Sequence, residues 1–129
     1  MMKKNQFYHV LRVLLGLALI FFGLNILIGF LENPPLPEAA TAFATALFNS
    51  GYMMTVVEIF EIVIGIMLVF NRFVPLAAVL LVPLSVNFVL FHLFLDFRGI
   101  IPAVVISIAN LYFVLANWDL YKPLLKMKD

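Results

Sequence analysis

Apolar residues run through this chain in four long stretches, separated by short polar breaks. The stretches cover about residues 8–31, 52–70, 73–95 and 99–119. Each is close to the ~20 residues that a helix needs to cross the hydrocarbon of a bilayer. Asn25 is the only strongly polar residue in the apolar body of the first. The second contains Glu58 and Glu61, and the third holds Pro75, Pro83, Ser85, Asn87 and His92. The fourth is uncharged from Gly99 to Trp118. Prolines do not veto a spanning helix, because neighbouring helices can satisfy the carbonyls they free. The pattern predicts an all-α integral membrane protein, a bundle of four transmembrane helices forming one domain over residues 1–129.

The first loop is the only long one. Pro34, Pro35 and Pro37 exclude helix up to that point. From Pro37, a good first-turn residue, an apolar stripe of Ala40, Phe43, Ala44, Leu47 and Phe48 predicts a short helix over about 37–49. Such a helix would lie on the outer interface, as a spacer across the bundle mouth or as a lid over a site.

Composition agrees with a lipid environment. Of 129 residues 65% are hydrophobic and 12% charged, about half the charged share of a soluble domain. So small a chain has no core in which to hide that much apolar surface. The net charge of +1 gives no reason to expect nucleic acid. The absence of cysteine excludes thiol chemistry. The opening MMKK precedes an apolar run too long for a signal peptide and without a cleavage site, so the first helix is expected to stay. Lys3, Lys4, Arg12, Arg72, Lys122, Lys126 and Lys128 fall on the side of the termini, and Arg98 alone falls opposite. By the positive-inside rule both termini are cytoplasmic, with Tyr8, Trp118 and Tyr121 placed for an inner aromatic belt.

Ionisable groups at membrane depth cost ~2.5–3.5 kcal/mol on insertion scales and mark candidate sites. Helical spacing places Glu58, Glu61 and Gly65 on one face of the second span. It places Ala103, Ser107, Asn110 and Asn117 on one face of the fourth, Ser85 with His92 on the third, and Arg12, Gly16 and Gly23 on the first. These faces are expected to turn inward, with Asn25 and Asn87 at other helix contacts. The candidates for ligand binding or proton relay are Glu58, Glu61, His92, Asn110, Arg12 and Asn87. The two glutamates read either as hydrogen-bonded glue between helices or as a proton-coupled or ligand-binding pair. Arg12 would pair with Glu61 or snorkel to the inner headgroups. Asp96, four residues after His92, would orient the imidazole, or with Glu58 complete a metal site. No metal is expected, and His9 lies too far away for paired-histidine haem. No phosphate loop, nucleophile elbow or zinc-protease signature marks a hydrolase or transferase, and the chain is not expected to be an enzyme by itself.

Four segments carry a family resemblance: LRVLLGLALIFFGLNILIGF, NPPLPEAATAF, VVEIFEIVIGIMLVFNRFVPLA and VNFVLFHLFLD. With them the chain resembles the DoxX-like family of small four-span bacterial membrane proteins. The resemblance implies a bacterial inner-membrane location and assigns functional weight to Arg12, to Glu58 or Glu61, and to His92. Members are linked to a thiosulfate:quinone oxidoreductase system and to redox-stress complexes, and distant relatives act as assembly chaperones. Without cysteine, a redox role here would run through a bound quinone or a partner subunit. The leading expectation is a module that binds a quinone or other lipid-like molecule, with Phe43, Phe48, Phe88 and Phe91 as apolar walls. The alternative is a ligand-free accessory or assembly subunit for a partner membrane protein, against which a lone homo-oligomer would count; the partners expected are the lipid bilayer, a lipid-like ligand, and a membrane protein or a second copy of the chain. A transporter ranks last, for want of an inverted repeat.

Overall fold

The computed structural model describes residues 4–29 and 35–128. Expectations placed on Lys3, on Pro34 and on the end of the first span at residue 31 lie outside it. The described residues are mostly helical, and none of them lies in a strand. In order they form α1 (Gln6–Ile28), α2 (Glu38–Asn49), α3 (Met53–Val69), α4 (Val74–Phe94), α5 (Ile100–Ala116) and a short α6 (Trp118–Tyr121). Single 3-10 turns precede α5 and follow α6.

Three helical segments among the described residues are long and apolar enough to cross a membrane, at 6–28, 74–94 and 97–116. The α2–α3 pair, bent by 93° at its break, makes a fourth if taken as one span. Only about a third or less of each span faces protein (33%, 28% and 28%). The remaining face is mostly leucine, isoleucine, valine and phenylalanine, an outer surface suited to lipid and not to water. The chain is a multi-pass helical membrane protein.

Local chemistry sets the ends. The Asn5 side chain caps α1 by accepting the Tyr8 N–H at 3.0 Å. Gly29 closes α1 in the left-handed conformation (φ 71°). After α3, Asn71 takes the same conformation (φ 55°), and the N–H groups of Asn71 and Arg72 return to the carbonyls of Leu68 and Met67. This is a Schellman ending with asparagine in glycine's usual place. The fourth expected span stops early. Asn117 turns the chain, its amide Nδ2 donating to the Phe113 carbonyl at 2.8 Å.

Packing divides the helices into two close pairs, α1 with α3 and α4 with α5, joined mainly through α3 and α4. Their shared core is Leu15, Leu19, Ile64, Leu68, Ala77, Ala78, Leu81 and Phe113. Between α1 and α3 the backbones all but touch. A Cβ added to Gly16 would lie 2.7 Å from the Gly65 carbonyl oxygen, and one on Gly65 the same distance from that of Gly16. Small residues allow this approach. It also fixes an antiparallel register in which residue 16 faces 65 and residue 23 faces 61 and 62. Tyr8 and Tyr121 depart from the belt expectation. They are 1% and 7% exposed and point into the bundle, where ring packing on Phe113 holds Tyr8 and the Pro75 carbonyl accepts the Tyr121 hydroxyl at 2.5 Å. Trp118 stays exposed.

Candidate functional site

Glu58 and Glu61 sit one turn apart on the face of α3 that packs against α1. They are 4% and 2% exposed. Gly23 makes room for the deeper one: a Cβ there would lie 3.1 Å from Glu61 Oε2. Among the described residues, the Oε2 atoms of both glutamates are buried without any hydrogen-bond partner. Buried polar groups are nearly always satisfied, so two orphaned carboxyl oxygens side by side are the least expected feature of the interior. A carboxyl accepts from a hydroxyl when ionised and donates to a carbonyl when protonated. Either form has unused capacity here.

Arg12 does not reach this pair. The α1–α3 register places it opposite the end of α3, seven or more residues and ~10 Å along the axis from Glu61. Its Nη1 donates to the Leu68 carbonyl and, at 3.0 Å, to that of Val69. Nor does it snorkel, being 8% exposed. It caps a neighbouring helix at the end where the macrodipole favours a cation.

Asn110 also has a structural employment. Its Nδ2 donates to the Ala78 carbonyl at 2.8 Å, and its Oδ1 accepts the Ser85 hydroxyl at 2.9 Å. Ser107 donates to the Ser85 carbonyl at 3.1 Å. These bonds stitch α4 to α5 and give both polar atoms of the carboxamide a partner within the chain.

His92 belongs to a separate cluster at the other end of α4. Its Nδ1 donates to the backbone carbonyl of Asp96 at 2.9 Å. The expected orienting group is therefore the Asp96 main chain, not its carboxylate. The carboxylate is held by Arg98, at 2.8 and 3.2 Å, and this bond keeps it below the usual carboxylate range. Arg98 also donates to the Pro35 carbonyl at 2.9 Å, tying the α4–α5 turn to the start of the α2 region. Gly99 lies flat against the imidazole, and any side chain there would collide with the ring. With Asp96 engaged, the Glu58–His92–Asp96 metal arrangement is not assembled. Among the described residues no three His, Asp or Glu side chains converge as metal ligands.

Of the apolar walls, Phe43 of α2 meets Phe91 of α4 at 5.8 Å between ring centres, and Phe88 packs on the core, whereas Phe48 is exposed. Asn87, expected off the inward faces at another helix contact, is exposed on the outward face of α4. Two residues that the sequence reading placed but did not count as candidates are Tyr8, assigned to the aromatic belt, and Asn117, on the inward face of the fourth span. Both are buried at the opposite end, each with one unpartnered oxygen among the described residues. Tyr8 lies four residues before Arg12, a spacing that already put it on the same inward face.

The DoxX family profile matches residues 7–93, from the first turn of α1 to the last of α4. Arg12, Glu58, Glu61, Asn87 and His92 fall inside the match and Asn110 outside it. No curated protein and no solved structure matches the chain. The profile spans well over half of the sequence, and the chain belongs to the DoxX family.

Proposed function

We propose that this DoxX protein is a single-domain, four-span module of the bacterial inner membrane that holds a quinone or similarly lipid-like molecule against Glu58 and Glu61. The observation that carries the reading is the pair of orphaned carboxyl oxygens. Glue between helices would be bonded within the chain, as the Ser85–Asn110–Ser107 set is. Groups left open at membrane depth call for an external partner. That partner brings a hydroxyl or carbonyl on an apolar body, the chemistry of a quinone headgroup. Glu58 and Glu61 would bind it and exchange protons with it. His92, its ring fixed by the Asp96 carbonyl, would stand nearer the outer surface.

The orientation follows from charge. Lys4, Arg12, Arg72, Lys122, Lys126 and Lys128 lie at the end where α1 begins and α3 ends, with Arg98 at the other. Cytoplasmic termini result. Helix α2, turned 93° from α3, then lies along the outer interface above the glutamates. The test is solvent extraction of protein purified in mild detergent, followed by chromatography and mass spectrometry. A stoichiometric non-phospholipid species is expected. Bulk phospholipid alone would leave the accessory-subunit alternative in its place.

A further inference from the structure

The lipid-facing stripes of α1, α3 and α5 are apolar: Phe7, Val10, Leu14, Leu17 and Phe21 on the first, for example, and Ile101, Val104, Ile108, Leu111 and Leu115 on the last. The stripe of α4 is different. It reads Leu76, Leu80, Pro83, Asn87, Leu90 and Phe94, all exposed, and so places a carboxamide among hydrocarbon side chains. Asn87 lies seven residues, ~10 Å, inside the Phe94 end of the helix. Among the described residues nothing bonds to it. Pro83, one turn away on the same face, has no N–H to give the Val79 carbonyl. A polar group facing lipid at this depth is costly unless another protein surface covers it.

We propose that this face of α4 is the interface of a parallel homodimer, with Asn87 paired to Asn87 of a second copy across a two-fold axis normal to the membrane. The carboxamide itself argues for that occupant. It carries both donor and acceptor, so two of them form a reciprocal pair, and a two-fold interface requires self-complementary groups. Copies inserted in the same orientation bring Asn87 to the same depth without further adjustment. The 4-3-4-3-4 spacing of the row is that of the a and d positions of a left-handed helix pair, in which a single asparagine at an a position sets register and partner number. The other lipid-facing stripes share the spacing, so spacing alone does not choose the face. Asn87 does. The row is exposed on α4 whereas the glutamates are buried on α3, and the inference does not rest on the ligand reading.

The chain has no cysteine, which makes the test direct. Single cysteines are introduced at Leu80 or Leu90 on α4, and at Leu17 on α1 and Leu111 on α5, and native membranes are oxidised. A covalent homodimer is expected from the α4 positions only. Adding Asn87→Leu to the Leu90→Cys chain should lower dimer yield at limiting expression by roughly tenfold, and Asn87→Gln should restore much of it. Because residue 87 is exposed, these variants keep the fold, which circular dichroism checks. Equal cross-linking from α1 or α5, a yield indifferent to Asn87, or an adduct only with a different protein would each overturn the proposal.

Discussion

The two helix pairs handle polar groups at membrane depth in opposite ways. Between α4 and α5, Ser85, Ser107 and Asn110 meet one another and the Ala78 carbonyl, and both the nitrogen and the oxygen of the Asn110 carboxamide are bonded within the chain. Between α1 and α3, glycines bring the backbones into contact, yet Glu58 and Glu61 each keep a buried oxygen without a partner. The first is how a membrane protein holds helices together. The second, on the function proposed above, keeps binding capacity in reserve.

The contrast can be broken at several points. The largest expected effect is from Arg12→Met, which strips the α3 end of its charged donor and should cost about 3 kcal/mol in detergent-micelle unfolding. Gly65→Ala forces a Cβ against the Gly16 carbonyl, where no flexible side chain can yield, and should cost about 2 kcal/mol in the same assay. Asn110→Val loses one interhelical set and should cost about 1 kcal/mol, with ligand retained. Glu61→Gln should change stability least of these, since the lost oxygen bonds nothing in the chain, but should lose the ligand. At the turn between α4 and α5, Asp96 is held low by Arg98. Its folded value lies below the unfolded one, so the stabilisation is present above the ordinary carboxylate range and is lost as pH falls through the folded value. Melting followed from neutral pH down to about 3 should show an acid-side decline that Asp96→Asn reduces.

Much of the fold is legible in the pattern of residues. The apolar runs anticipate the helices to within a few residues, because in lipid the backbone has no alternative to internal hydrogen bonding. Inward faces follow from helical spacing, as with Glu58, Glu61 and Gly65. What spacing cannot supply is the partner across an interface. Arg12 is plainly inward, but its choice of the Leu68 and Val69 carbonyls over Glu61 depends on the glycine-to-glycine register of α1 against α3. Asp96 is four residues from His92, yet it lends its carbonyl because Arg98, two residues on, takes the carboxylate. Spacing sets Asn87 off the face that carries Ser85, but it does not show that Ser85 meets Asn110 of α5 while Asn87 meets no other helix among the described residues.

The most direct measurement is native mass spectrometry of protein released from mild detergent, comparing wild type with Glu58→Gln/Glu61→Gln and with Ser85→Ala/Asn110→Val. A discrete bound species is expected on the wild type and on the α4–α5 variant, and none on the glutamate variant. Wild type without an adduct, or an adduct that survives on the glutamate variant, would overturn a ligand site at Glu58 and Glu61.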